Sequence, residues 1–343
     1  GKFMKENSKA NRINDNKINK VNEVNNERSE GNHPNLEVHL GRIRLKNPVV
    51  MCSGTFSSGV EYSRFYDVNI LGAITTKSFT LKKRLGNPPP RICETPCGML
   101  NSIGLQNDGI DCFAENHLPA LVELGVDTKS NIILSVAGQD ENEFKEIALK
   151  VKEFEDKLLA VELNLSCPNI KEGGKTLDLA PENVEKVTSI VGRILEIPMI
   201  VKLSPEGYNL VESARRAKNG GAEAISVMNS IVGMAVDVET FKPKIGNILG
   251  GLSGPAIRPI SLAKVYTVAR EKILPVIGMG GVYTWEDALE FLIVGARAVG
   301  IGSANFVNYR VGIEVIQGIA SYLERHNIKD INSIIGKIST TPV

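Results

Sequence analysis

Residues 221–230 read Gly221-Ala222-Glu223-Ala224-Ile225-Ser226-Val227-Met228-Asn229-Ser230. The stretch opens on a glycine suited to the left-handed cap of a helix and runs at once into a short apolar strand. The passage recurs at Gly295-Ala296-Arg297-Ala298-Val299. A helix that stops at glycine and feeds a strand is the joint of an α/β protein with a parallel sheet. Working outward, runs of the same kind occupy Val49 to Gly54, Ala73 to Ser78, Ile132 to Gly138, Ala160 to Ser166, Met199 to Ser204 and Leu274 to Gly281. With Ala224 to Ser230 and Ala298 to Ala304 they number eight.

Between the third and fourth runs, Phe144, Ile147, Ala148 and Val151 form the stripe of a helix lying on a sheet; Val184, Val187, Val191 and Ile194 repeat it. Eight strands with helical stretches between them point to a (β/α)8 TIM barrel, with a doubly wound open sheet as the alternative. The segments after strands are long at Phe79 to Asn131, Cys167 to Ala180 and Ile231 to Ile273. In a barrel these stand over the C-terminal mouth, where such enzymes build their sites.

Forty basic and 39 acidic residues leave a formal charge of +1, so no overall field favours nucleic acid or an anionic membrane. No apolar run reaches the roughly 20 residues that cross a bilayer. Residues 1–35 are polar and charged and read as a disordered leader, with the barrel domain over residues 36–343. Acidic residues and the lack of an apolar centre argue against a targeting peptide. The cysteines, Cys52, Cys93, Cys97, Cys112 and Cys167, are an odd and scattered set, which favours a reducing cytoplasm. Cys93 and Cys97 are the only close pair and cannot supply four ligands, so no metal site is expected.

Several residues suit a plain structural strand poorly. Lys77 and Lys202 put cations into apolar runs, and an enclosed charge needs a partner. Either alone could snorkel outward; two at strand ends favour contact with an anionic ligand. Asn164 and Asn229 are amides in strands, with donors and acceptors that match a heterocycle's edge, or equally a core amide bonded to backbone. Gly278-Met279-Gly280-Gly281-Val282 and Gly300-Ile301-Gly302-Ser303-Ala304 follow runs seven and eight, the usual phosphate position in such barrels. Neither fits a dinucleotide fingerprint, so no NAD site is assigned. Cys167, followed by proline, falls in a mouth loop and could be a small hydrophobe or, with neighbouring donors, a base.

Taken together, Ala73-Ile74-Thr75-Thr76-Lys77, Gly86-Asn87-Pro88-Pro89-Pro90-Arg91, Glu94 through Asn107, Glu162 through Asn169, Val201-Lys202-Leu203-Ser204-Pro205, Gly250 through Ala256 and Gly278 through Val282 resemble the successive blocks of class 1 dihydroorotate dehydrogenases. Cysteine after Asn164-Leu165-Ser166 is similar to class 1 rather than to the serine of class 2, and Ile170-Lys171-Glu172-Gly173-Gly174 resembles class 1B. The resemblance implies oxidation of dihydroorotate to orotate in pyrimidine synthesis, with FMN bound. It also implies an electron-transfer subunit carrying FAD and a 2Fe-2S cluster, in a heterotetramer of two catalytic and two partner chains, with NAD as acceptor.

By that resemblance Cys167 is the base. Lys77, Asn101, Asn164, Asn169, Asn229 and Ser230, with the loop Ser102, Ile103, Gly104 and Leu105, hold the substrate. Ser53, Gly54, Thr76, Lys77, Ser135, Asn164, Lys202, Val227 and Gly254 hold FMN, and Gly280, Gly281, Gly302 and Ser303 its phosphate. Ser135 stands where asparagine is expected after strand three, and Ser303 where threonine is common. A fumarate-using class 1A enzyme is the nearest alternative, then a phosphate-binding barrel aldolase or isomerase. A barrel kept only as a scaffold is the non-enzymatic reading.

Overall fold

In the computed structural model, residues 33–166, 168–169, 175–205 and 209–341 are described. Eight parallel strands close into a barrel: β1 (Val49–Met51), β2 (Ala73–Thr75), β3 (Ile132–Val136), β4 (Ala160–Asn164), β5 (Met199–Leu203), β6 (Ala224–Val227), β7 (Val276–Met279) and β8 (Ala298–Ile301). Each pairs with its neighbours in sequence, and β8 returns to β1 through Val299, Gly300 and Ile301. Nearly every strand residue is buried, as a sheet covered by helices outside and packed side chains inside requires. The barrel reading is therefore borne out, with one shift: the seventh strand opens at Val276, after Leu274 and Pro275.

Helices α1 (Leu118–Glu123), α2 (Glu141–Lys152), α3 (Pro181–Gly192), α4 (Leu210–Asn219), α5 (Arg258–Ala269), α6 (Trp285–Ile293) and α7 (Val311–Arg325) alternate with the strands. Side-chain caps set several starts. Asp140 accepts from the amides of Asn142 and Glu143, Asn209 from Glu212, and Thr284 forms a capping box with Asp287. Gly221 and Gly295 take φ of +98° and +119°, the left-handed ends the sequence asks for. Phe144, Ile147, Ala148 and Val151 are the buried stripe of α2. Ile194 differs from expectation: α3 ends at Gly192, and Ile194 packs half-buried in the turn beyond it. No α-helix stands between β1 and β2, where left-handed Ser57 and Gly59 break the chain into short 3-10 turns.

The two ends of the barrel are closed differently. A hairpin of Val38–Leu40 and Ile43–Leu45 lies at the N-terminal end, where Arg42 at its turn reaches Glu223 and the carbonyl of Glu196, just before β6 and β5. Over the mouth, an antiparallel sheet is assembled from two distant loops: Ile92–Thr95 and Gly98–Asn101 from the β2–β3 connection, and Gly250–Ser253 and Ile231–Gly233 from the β6–β7 connection. Asn101 opposes Gly251 in its register.

Candidate active site

The strand ends carry a continuous arc of polar side chains. Ser78, just past β2, is its hub: its hydroxyl accepts from Asn164 Nδ2 at 2.9 Å and lies 2.9 Å from Ser135 Oγ and 3.4 Å from Ser53 Oγ. From Asn164 the arc continues, because Ser166 Oγ donates to Asn164 Oδ1 at 2.7 Å and Asn229 Nδ2 donates to Ser166 Oγ at 2.9 Å. Asn229 Oδ1 accepts from the amide of Ser230 at 2.9 Å. Asn164 and Asn229 thus belong to one network, with their orientations fixed by partners before any ligand arrives.

The roof sheet brings Asn101 to the same place. Its Nδ2 donates to the carbonyl of Gly251 at 3.3 Å, and a Cβ on Gly251 would stand 2.0 Å from Ser230 Oγ. Only glycine allows Asn101 and Ser230 to approach across that backbone. The neighbouring loop is held differently. Ser102 N donates to Arg91 O, Asn87 N donates to Ile103 O, and Gly104 at φ +70° packs on Asn87, so these contacts tie Ser102 to Gly104 to the 87–91 segment. Ser102 there keeps a buried hydroxyl without a partner among the described residues. Leu105 adopts φ of +56°.

On the other side of the mouth, Lys202 in β5 is 5% exposed and has no hydrogen-bond acceptor or ion-pair partner among the described residues. Gly280 and Gly281 leave β7 at φ of +126° and +81°, with Gly254 at +108° beside them. A Cβ on Gly281 would meet Gly254 O and Arg258 Cβ, both at 2.8 Å, so that turn is closed to any other residue. Gly302 and Gly54 differ: a Cβ on Gly302 would have nothing nearer than Cys52 at 3.9 Å, and one on Gly54 nothing within 4 Å. Ser303 Oγ lies 3.2 Å from Tyr283 OH and precedes the short helix Ala304–Val307, the arrangement in which such barrels seat phosphate. An enclosed cation facing open glycine backbone fits a phosphate-bearing cofactor.

Other expected residues take quieter positions. Thr76 is fully enclosed; its hydroxyl accepts from Ser135 N at 3.1 Å and donates to Lys77 O at 2.9 Å. Val227 is wholly buried at the end of β6, so only its backbone is available. Lys77 is half-buried at the rim, close enough for its charge to help lower the Asp108 carboxyl below its usual range, after the larger effect of Lys83. Ser135 lies within β3 rather than after it, and its hydroxyl is engaged by Ser78 and, at 3.3 Å, by Glu162 Oε1. Asn169 is placed by backbone, opposite Lys175. Cys167 and residues 170–174 lie outside the described residues.

The sequence reading missed Ser78, Ser166, Glu162, Ser226 and Tyr283. Inward alternation along strands already recognised would have indicated Glu162 and Ser226, since both share a face with residues two positions away. It also missed a group of possible metal ligands, Asp108, Cys112 and His117, whose ligand atoms lie within 4.8 Å of one another. Each already has a partner: Lys83 on Asp108, Asn116 on Cys112 and Ser58 on His117. Surface depressions of about 390 and 530 Å³ open elsewhere, among charged side chains such as Glu155, Glu196, Glu185 and Arg216 that pair with one another or with nearby lysines. The site is therefore located by converging polar groups, not by cavity size.

Known proteins resemble the chain over most of its length. The family model described as dihydroorotate dehydrogenase matches residues 35–323. The chain is 48% identical over 304 residues to the dihydroorotate dehydrogenase B (NAD(+)), catalytic subunit, of Thermoanaerobacter sp. (strain X514), covering 89% of this chain and 99% of that one. It is 46% identical to the protein of the same name from Alkaliphilus oremlandii (strain OhILAs), with the same coverage. With that of Thermodesulfovibrio yellowstonii it shares 46% over 303 residues, 88% of this chain and 98% of the relative.

Proposed function

The chain belongs to the dihydroorotate dehydrogenase family, and on that premise we propose that it oxidises dihydroorotate to orotate in pyrimidine synthesis as an NAD-linked, class 1B catalytic subunit. The cofactor in this reading is FMN. The observation that carries it is Lys202, enclosed and without a partner among the described residues, with the open backbone of Gly54 and Gly302 across the mouth. Lys202, Ser53, Gly54 and Gly254 hold FMN, while amides at Gly280, Gly281, Gly302 and Ser303 face its phosphate. When bound, FMN supplies the acceptor for the two electrons released by the substrate.

The chain's own residues do the rest. Asn101, Asn164, Asn229 and Ser230 offer amide and hydroxyl groups to the substrate ring, Asn169 adds another, and Lys77 sets a cation beside its carboxylate. Because Ser78 and Ser166 hold Asn164 by both ends, its donors and acceptors present one face to the ligand. Cys167 takes the proton from C5 of the substrate, which requires its thiol to be ionised by its surroundings. Among the described residues no helix is long and apolar enough to cross a membrane, and a cytoplasmic setting suits the cysteines.

The partner in this reading is an electron-transfer subunit with FAD and a 2Fe-2S cluster, two of them on two catalytic chains. A visible spectrum of the purified chain tests the core of the proposal. Yellow protein with one FMN per barrel, lost in Lys202→Ala, is expected; folded, colourless protein that FMN cannot reconstitute refutes it and favours the aldolase or isomerase reading.

A further inference from the structure

Two hydroxyls join the glycine turns at the ends of β7 and β8, and one of them, that of Tyr283, has no part in the function proposed above. Tyr283 follows the Gly280-Gly281 turn and Ser303 follows Gly302, and Tyr283 OH stands 3.2 Å from Ser303 Oγ. Ser303 is 8% exposed and makes no side-chain cap to the short helix it precedes, so its hydroxyl is not committed there. The tyrosine is held firmly. Its amide and that of Thr284 donate to Asp287 Oδ2 at 2.9 and 3.0 Å. Asp287 Oδ1 in turn accepts from Arg258, whose Cβ leaves no room for a side chain on Gly281. The ring itself packs half-buried against the core.

We propose that Tyr283 is a positioning residue for the cofactor phosphate: its O–H donates to Ser303 Oγ and so turns the serine's own O–H toward the anion. A phosphate monoester dianion offers no hydrogen, so a hydroxyl that meets it must donate. Ser303 has one hydrogen to give. Once that goes to the phosphate, the serine oxygen can only accept, and the bond between the two hydroxyls runs from phenol to serine. Two hydroxyls donating in series polarise one another in the direction of the anion. Without the phenol the serine hydroxyl turns among its staggered positions, and ordering it on binding costs affinity. Because the Arg258–Asp287 pair ties the tyrosine's backbone to the Gly281 turn, the phenol is in place before any ligand arrives.

The inference rests on the FMN reading for its ligand, and the choice of probes separates the two. FMN and riboflavin, the same flavin without the phosphate, are titrated at pH 8 into flavin-free wild type, Tyr283→Phe, Ser303→Ala and the double variant. Phenylalanine keeps the ring in its packing, so riboflavin should bind all of them alike. Tyr283→Phe should weaken FMN by about three- to tenfold, the worth of one hydrogen bond, and Ser303→Ala by more. The double variant should bind FMN as Ser303→Ala does, because the tyrosine acts only through the serine. Wild-type FMN affinity in Tyr283→Phe overturns the inference. An equal loss of riboflavin also overturns it, since the tyrosine is then merely structural. Additive losses in the double variant do the same, because they put the phenol on the phosphate itself. Wild type that takes up neither flavin refutes the FMN reading, and this inference falls with it.

Discussion

Ser78 Oγ accepts a 2.9 Å hydrogen bond from Asn164 Nδ2, linking the end of the second strand to the end of the fourth. Ser135, on the strand between them, adds its hydroxyl to the same oxygen. Ser78→Ala should leave the Asn164 amide and the Ser135 hydroxyl under-satisfied in a buried setting, at a cost of about 1–3 kcal/mol. Denaturant unfolding of the flavin-free protein measures this, and an unchanged midpoint would show the hub to be dispensable. Substrate affinity should fall as well, since Asn164 is then held only by Ser166.

The two kinds of glycine at the mouth should separate fold from ligand. Gly281→Ala places a Cβ 2.8 Å from both Gly254 O and Arg258 Cβ at φ +81°, so the folded yield or melting temperature should drop. Gly302→Ala adds a methyl with its nearest neighbour at 3.9 Å, so the flavin-free protein should melt as the wild type does while retaining FMN poorly. Equal FMN retention in Gly302→Ala would move the phosphate elsewhere.

Replacing Cys167 with alanine should leave the flavin spectrum and orotate binding close to wild type. Flavin reduction by dihydroorotate should slow by about a hundredfold to ten-thousandfold, the usual contribution of a positioned base. Serine should recover rate only at high pH. Stopped-flow reduction at wild-type speed in the alanine variant would assign the base elsewhere.

Cys52 should be inert to thiol reagents at pH 8 in the native protein, since burial raises its thiol to about 12, whereas exposed Cys97 should react first. The raised value also fixes a sign. The stability Cys52 lends is fully present below the ordinary thiol value of about 8.5 and is lost as pH climbs towards 12. Cys52→Ala should flatten that alkaline decline, as unfolding followed from pH 8 to 11 would reveal.

Alone, the chain should oxidise dihydroorotate with an artificial acceptor yet reduce NAD slowly. An FAD and iron-sulfur subunit should restore NAD reduction and yield a complex of two chains of each kind. Rapid turnover of the isolated chain with fumarate, with no gain from such a subunit, would instead make it a class 1A enzyme.

The barrel was legible because each strand is an apolar run closed by glycine or polar residues, and Gly221 and Gly295 mark where helices stop. The roof sheet was not, because its strands are short and half-exposed, and the pairing that joins its two halves, Gly98–Asn101 with Gly250–Ser253, links segments about 150 residues apart. Asn101, on one of these strands, enters the sequence reading only through the resemblance. Lys202 and Asn164 stood out as polar residues in apolar strands; Ser78 and Ser166 did not, since serine at a strand end is common. Glu162 stood in a recognised block on the same strand face as Asn164, but nothing local tells that its carboxylate reaches Ser226 two strands away.

The roof sheet also fixes when the site can come into being. Asn101 rests on Gly251, 150 residues further along, so a ribosome must deliver the sixth strand and the loop after it before the mouth has a cover. A nascent chain stopped short of Gly250 would own six of the eight barrel strands, most of the polar arc and three of the four roof strands, yet not the Gly250–Ser253 strand that joins them. Asn101 and Ser230 would then meet only as the last quarter of the chain emerges, so a chain cut short of it would lack both the roof contact and the late glycines and would not draw on the cofactor pool.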